Sequence, residues 1–346
     1  MSSASEISYH AFLLRLRKLA EKALEAYGLE GARLRFINFS GNGLYQVQVS
    51  DKQRSNFAPG RYALRLHQPN YMTPEYISSE LEWLAALNHE RIGVPQPFRT
   101  LDGNWIATVD GGYEVPTKRN CTLIGWTEGR LLNKGLRSRH FNSLGRIVGR
   151  MHGQSRNWKK PPKFKRPHWD WEGLFGDGFD YGFSASEARE AIPKNHQDSF
   201  NDLLQRVQEA SDQMGRGRNV YGLIHADLSF DANVAIHEGE ARPFDFDDCG
   251  FGYWMFDLGV VLAHYMVDTD GEIPEMQDAL IEGYMETSPL PESNLDNLDL
   301  FIGARCAQIM LFNQGGALRN PTIQEEARRE IELYGRWLKH ILKRMK

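Results

Sequence analysis

Between Leu223 and Leu258 the sequence reads LIHADLSFDANVAIHEGEARPFDFDDCGFGYWMFDL. Within it, Asp227 follows His225 and Ala226, Asn233 comes six residues later, and Asp245 stands in the run Phe244-Asp245-Phe246-Asp247-Asp248. These residue types suit phosphoryl transfer, which leaves a protein little covalent chemistry to do. The reaction needs a carboxylate to orient an attacking hydroxyl and take its proton, and oxygen ligands to hold Mg2+ against the phosphates. Mg2+ prefers octahedral oxygen and usually binds one or two carboxylates, with water and phosphate completing its shell. One Asp as base, with an Asn and an Asp as ligands, is such a set.

The surrounding pattern must bring these residues together. Leu223 and Ile224 read as a strand ending at His225, Val234–His237 as a second, and Arg242–Phe246 as a third. Asp227, Asn233 and Asp245 then fall at strand ends and loops, where they can converge. Upstream, residues 8–27 carry Phe12, Leu13, Leu16, Leu19, Ala20, Ala23 and Leu24 at helical spacing, with Gly28 as the stop. The period then changes. Leu34–Phe39 and Tyr45–Val49 predict two strands around the small tip Ser40-Gly41-Asn42-Gly43, and Arg61–His67 a third. Thr73–Leu87 returns to helical spacing, Trp105–Val109 and Glu114–Val115 suggest short strands, and Cys121–Ile124 a last apolar one. From Leu131 onward helices dominate, over Arg139–Gly153, Phe200–Gln213, Asp257–Met266, Pro274–Thr287, Leu295–Gly315 and Pro321–Arg344. Asn157–Gly182, rich in Pro, Gly, Trp and Lys, reads as an extended loop. The class is therefore α+β, a smaller antiparallel β part followed by a larger helical one.

The motif HADLxxxxN, then FDFDD and FDLG, resembles the aminoglycoside phosphotransferase and choline kinase superfamily, distant relatives of protein kinases. Within it the chain is most similar to the bacterial homoserine-kinase-like and stress-response-kinase-like branch. The resemblance implies a bilobal protein-kinase-like fold. Residues 1–126 would be the nucleotide-binding lobe, with a hinge at 121–126. Residues 127–346 would be the helical lobe, with catalytic loop 225–233, metal-binding segment 244–248 and the acceptor pocket. It implies ATP and Mg2+ as cofactors, Asp227 as catalytic base, Asn233 and Asp245 as metal ligands, His225 as a structural residue of the loop, and Asp257 as the buried acid that braces it. Ser40, Gly41, Asn42 and Gly43 lie where the family covers the phosphates, and small residues there let backbone N–H groups approach. Arg65 takes the place of the phosphate-binding lysine, with Glu80 as its partner, and Leu123 and Ile124 lie in the hinge that meets adenine. The chain departs from the family at three points. Ala232 stands where the Asn is usual, which leaves either Asn233 or Asp231 as the second ligand. Arg replaces Lys at position 65, keeping the charge on a longer, planar group. The tip has no GxGxxG pattern.

Composition bounds these readings. The chain has 346 residues, 25% charged and 41% hydrophobic, with 8 Trp, 13 Tyr and 18 Phe, which fits a folded protein of two domains or one bilobal unit. The net charge of −4 supplies no global cationic field for nucleic acid or anionic membrane. No apolar stretch approaches the ~20 residues of a membrane span. The N-terminal residues do not read as a secretory signal, and the scattered Cys121, Cys249 and Cys306 fit reduced thiols, so a cytoplasmic location is expected. The charge is uneven: 12 Lys or Arg and no acid over Arg130–His168, but 18 acids and one base, Arg242, over Ile224–Leu300. The acidic stretch coincides with the catalytic block, so the expected acceptor is a small cationic hydroxyl compound, such as an amino alcohol, amino acid or aminosugar. A protein Ser/Thr kinase of the stress-response type and a non-catalytic nucleotide-binding pseudokinase are the alternatives. Trp169, Trp171, Tyr253 and Trp254 read as packing residues, and His152, His264 and His340 as packed or exposed. The helix bearing Arg305 and Gln308 is a candidate to face the acceptor. Asp247 and Asp248 could orient substrate or metal, or simply cap the next segment. The basic run has no assigned role, and nothing indicates the oligomeric state.

Overall fold

Leu16, Leu19, Ala20, Ala23 and Leu24 recur at helical spacing, and all are buried along α1 (Tyr9–Ala26), whose N-terminus is capped by the Ser8 hydroxyl. The computed structural model describes residues 8–52, 56–110, 118–271, 273–289 and 295–345. The chain divides into two compact units, Met1–Asn88 with Pro95–Thr127, and His89–Val94 with Glu128–Lys346.

Unit 1 is built on one antiparallel sheet. Its strands are β1 (Arg33–Ser40), β2 (Asn42–Val49), β3 (Gly60–Leu66), β4 (Pro97–Phe98), β5 (Ala107–Val109) and β6 (Arg119–Gly125), with α2 (Pro74–His89) between β3 and β4. The order is β1-β2-β3-β6-β4, with β5 also pairing β6. Leu34, Tyr45, Val47, Leu64, Leu66, Cys121 and Leu123 form a core with the inner face of α1. The expected strand at Glu114–Val115 lies outside the described residues. The first hairpin runs further than its apolar pattern suggests. Ser40 pairs with Asn42, and Gly41 at φ 87° makes the turn alone.

Unit 2 opens with β7 (Arg130–Leu131) and the long helix α3 (Ser138–Asn157), then β8 (His168–Trp169), α4 (Trp171–Phe175), α5 (Ala185–Glu190) and α6 (Lys194–Met214). The stretch read as a plain loop thus holds β8 and α4, and α5 is a further short helix. Such elements are too short for periodicity and rest on caps: Asp170 accepts from Gly173 N–H and Ser184 from Glu187 N–H. Next come β9 (Tyr221–Ile224), β10 (Val234–His237), β11 (Glu240–Pro243) and β12 (Gly250–Tyr253). They form two three-stranded sheets, β11-β10-β7 and β8-β12-β9. The expected third strand ends early because Asp245 is left-handed at φ 61°, so the chain turns through a 3-10 segment at Phe246–Asp248.

Among the described residues the α-helices α7 (Trp254–Thr269), α8 (Pro274–Met285), α9 (Leu298–Arg319) and α10 (Gln324–Arg344) follow in unit 2. α3 meets α8 at van der Waals contact of backbones. A Cβ on Gly145 would lie 2.1 Å from the Leu280 carbonyl, and one on Gly283 2.0 Å from that of Asn142. Any side chain at either glycine would force the helices apart, and this close approach sets Tyr284 against His152.

Candidate active site

α7 is apolar nearly all round and buried, yet it carries one fully buried acid, Asp257. A carboxylate in such a place must be saturated with donors. Asp257 accepts from the backbone N–H groups of His225 (2.8 Å) and Ala226 (2.6 Å) and from His152 Nε2 (3.0 Å). Burial holds His152 below the usual histidine range despite Asp257, so the ring is neutral near pH 7. Its Nε2–H donates to the carboxylate, and Nδ1 lies 3.0 Å from the Tyr284 hydroxyl, which donates to it. Ala226, left-handed at φ 70°, is thus held from below by a fixed anion. His225 ties the next turn: Asp227 N–H donates to Nδ1 at 3.4 Å, so Nε2–H donates to the Phe244 carbonyl at 3.0 Å. Phe244 N–H in turn donates to the Asn233 carbonyl at 2.9 Å. The three segments bearing Asp227, Asn233 and Asp245 are laced together.

Asn233 is buried, and its Nδ2 donates to Asp227 twice, at Oδ2 (2.6 Å) and at the backbone carbonyl (2.7 Å). With Nδ2 committed, Oδ1 is the atom left to ligate a cation. Asp231 is exposed, as is Asp245. Among the described residues no three His, Cys, Asp or Glu side chains gather to hold a metal by themselves. A cation here would rely on the Asn233 amide, Asp245 and the oxygens of its own ligand. That donor chemistry, one amide oxygen and one carboxylate, fits Mg2+.

The second Asp227 oxygen, Oδ1, accepts from Arg305 on α9. Arg305 also donates to Gln308 Oε1 (2.8 Å) and lies 3.0–3.2 Å from His264 Nε2. Burial alone would raise Asp227, but the Arg305 guanidinium, with His264 and His225, holds it below the usual carboxylate range. Burial and the same guanidinium push His264 down to about 4. Asp248 moves oppositely, to about 7, because it is buried beside Asp227, Asp247 and Asp245.

In unit 1, Arg65 on β3 and Glu80 on α2 form an ion pair at 2.9 Å, both side chains buried. The tip Ser40–Gly43 is small for reasons of packing: a Cβ on Gly43 would meet Leu16 Cδ2 at 2.7 Å, and one on Gly41 the Gln68 side chain at 2.4 Å. Gln68 N–H also donates to Asn42 Oδ1. Leu123 and Ile124 are central-strand residues paired to β3 on one side and β4 on the other. The Leu123 side chain is fully buried in the core against α1, so of the two only Ile124, on the opposite face of the strand, is placed to offer a ligand side-chain surface.

A profile of the phosphotransferase enzyme family matches residues 39–290, which span the Arg65–Glu80 pair and the whole laced block. The chain belongs to the phosphotransferase enzyme family. This phosphotransferase is 26% identical over 295 residues to an amicoumacin kinase of Bacillus subtilis (strain 168), covering 79% of this chain and 76% of that one. Among solved structures it is similar to a microcompartment-associated aminopropanol kinase, with TM-score 0.79 and 26% identity over 95% of this chain and 98% of the other. The amicoumacin kinase hAmiN, solved with AMP-PNP, Ca2+ and Ami, has the same fold, with TM-score 0.74 at 20% identity over 95% and 96% of the two chains. The protein-kinase-like α+β fold is thereby shown, and the phosphotransferase is a kinase. Among its described residues no helix is long and apolar enough to cross a membrane.

Sequence reasoning did not place His264 and Asp248 of the phosphotransferase against Asp227; it singled out Arg305 and Gln308 on their helix as candidates to face the acceptor, without the contact of Arg305 to Asp227. One signal was available: His264, Arg305 and Gln308 are polar residues among apolar neighbours on two helices. Nothing in one sequence pairs those helices. Trp169, Tyr253 and Trp254 are buried as packing residues, and His152 is packed beneath the loop.

Proposed function

We propose that this chain transfers the γ-phosphate of ATP to a hydroxyl of a small, amine-bearing molecule, with Asp227 as the base. The observation that carries the reading is the convergence of Asn233 on Asp227 above the Asp257 brace. A carboxylate fixed from two sides can orient an acceptor hydroxyl and take its proton as the phosphoryl group leaves ATP. Asn233 and Asp245 would hold Mg2+, which neutralises charge on the β- and γ-phosphates when bound. In unit 1, the nucleotide-binding lobe in this reading, the buried Arg65–Glu80 pair would place a cation on the phosphates. Ser40–Gly43 and Ile124 would complete the nucleotide site.

The amine follows from charge. Burial and the neighbouring Asp231 and Glu330 raise Asp268, and Asp248 is raised as well, so unit 2 holds carboxylates that an ammonium would relieve. The relative named an aminopropanol kinase has an amino alcohol in its name, which accords with this.

The test is ATP·Mg consumption against a panel of amino alcohols, hydroxy amino acids, aminosugars, uncharged sugars and peptides. Turnover is expected with a cationic small molecule and is lost in Asp227→Asn, which still binds ATP in a thermal-shift titration. Nucleotide binding without turnover in any class makes the chain a pseudokinase. Turnover confined to peptides or anionic acceptors overturns the substrate reading.

A further inference from the structure

The basic run Arg130–His168 supplies none of its Lys or Arg side chains to the site above, and part of it lines a separate cavity inside unit 2. The cavity measures about 300 Å3 and is walled by α3, β11, the segment after α2 and Thr287 just after α8. Arg146 and Arg150 come from α3, one turn apart and so on one face. Arg242 and Glu240 come from β11, and Arg91 from the segment following α2. Four arginines therefore line one small space, and Glu240, which feels both Arg146 and Arg242, is the one carboxylate in the lining.

Two of the four are spoken for. Arg146 lies 3.4 Å from Glu240, which also accepts from the Ser143 hydroxyl at 2.8 Å, and it reaches Glu286 at 3.8 Å. Arg150 donates to the carbonyls of Glu90 and Arg91 at 3.4 and 3.0 Å, which neutralises no charge. Arg242 and Arg91 make no side-chain hydrogen bond or ion pair among the described residues. Arg242 lies along Gly93, where a Cβ would sit 2.9 Å from its Nη1, so the lack of a side chain there leaves room for the guanidinium. Arg91 itself is left-handed at φ 56°, an uncommon conformation for a residue of its size.

Like charges held this close are costly unless an anion sits among them. Guanidinium forks match phosphate oxygens bidentately, and several converging on one small volume select a compact, multiply charged group over a single carboxylate. The volume is at the lower end of small-molecule pockets, which suits a phosphorylated metabolite. We propose that this cavity is a second anion site, taking a small organic phosphate through Arg242, Arg91 and Arg150, and that it is separate from the phosphotransfer site. It shares no residue with Asp227, Asn233, Asp245, Arg65 or Glu80.

The test is isothermal titration of the full chain with a sugar monophosphate and with inorganic pyrophosphate, in saturating ADP·Mg so that the nucleotide's own phosphate contacts are filled. One equivalent should bind, and binding should weaken as salt rises. Arg242→Gln and Arg91→Gln should each weaken it by about tenfold or more without changing the melting temperature of the unliganded chain. Arg91 is exposed and holds nothing in place through its side chain, so that variant keeps the test valid should Arg242→Gln fold poorly. Binding that survives both variants overturns the site, as does the absence of binding by either probe. Binding removed by Arg65→Gln instead places the anion at the phosphotransfer site and also overturns it. An effect confined to a phosphopeptide, with neither small phosphate bound, would assign the cavity to a macromolecular partner and refute the ligand class.

Discussion

Replacing Asp257 should separate the stability of the loop from the binding of nucleotide. In Asp257→Ala three buried donors lose their acceptor: His225 N–H, Ala226 N–H and His152 Nε2–H. A buried donor left unpaired costs about 1–3 kcal/mol, and bonds to a charged acceptor lie at the upper end. Three would total ~3–9 kcal/mol, but a water entering the vacated space can serve one or two of them. The expected loss is therefore about 3–5 kcal/mol, a large fraction of the ~5–15 kcal/mol that holds a domain folded. Asp257→Asn is the informative variant. Its oxygen still accepts from one side while its Nδ2 is set against a donor, so it should lose about 2–3 kcal/mol and remain folded. The strained Ala226 turn then relaxes and Asp227 moves. A displacement on the order of 1 Å costs about a hundredfold in rate.

The assays are urea midpoints with thermal unfolding, ATP affinity by titration, and kcat with the best acceptor from the panel. Asp257→Asn should keep ATP affinity near wild type and lose kcat by about two orders of magnitude. Equal stability and kcat in Asp257→Asn would show that the carboxylate is not what holds the loop. Loss of ATP binding in step with kcat would show that it acts on the fold at large.

Three other outcomes follow from the same geometry. Glu80→Ala strands the buried Arg65 guanidinium and should destabilise by about 3–5 kcal/mol, while Glu80→Gln, which keeps an acceptor, should lose less; thermal unfolding and KM for ATP report both. Asp248 is raised to about 7, so between the ordinary carboxylate range and that pH the native chain binds a proton the unfolded chain has released, and this group makes stability fall as pH rises through the window. Asp248→Asn should remove that slope from a melting-temperature series, and an unchanged slope would refute the assignment. Arg305→Gln should move the acid limb of the kcat/KM profile toward neutral pH, because the cation that lowers Asp227 is gone. Arg305→Lys should leave the limb in place but lower the plateau, because it loses the contacts to His264 and Gln308.

The β-rich first part, the helical second part and the candidate block around Asp227 were legible because they depend on local period and on residues close in sequence. α1 announced itself through Leu16, Leu19, Ala23 and Leu24, and Asp227, Asn233 and Asp245 through short fixed spacings. The departure from the usual Asn spacing left Asn233 and Asp231 open; the fold buries the Asn233 amide against Asp227 and leaves Asp231 exposed, and which of them ligates a metal belongs to the proposal to be tested. What the sequence could not show depends on contacts far apart in the chain. Arg305 meets Asp227 across 78 positions, and His152 meets Asp257 across 105. The glycines of the tip also read differently once folded. Gly43 is small because Leu16 lies beneath it, a constraint that belongs to α1 and leaves the phosphate-binding proposal to be tested by its own variants.

The surroundings of Asp227 bear on what kind of base it would be in the proposed reaction. Asn233 takes a position on Oδ2 and Arg305 one on Oδ1. A carboxylate offers about four lone-pair positions, so an acceptor hydroxyl can still bind without displacing either neighbour. The same two donors make Asp227 a weaker base, since its pKa is already held low by Arg305. A weak base is poorly matched to removing a proton from an alcohol before the phosphoryl group moves. It is well matched to a loose transition state, in which the hydroxyl stays protonated until the new bond is largely formed. In the proposed reading Asp227 would act mainly by orientation, and would take its proton late. In that reading the brace beneath it, Asp257 with His152 and Tyr284, would matter more to rate than its basicity does.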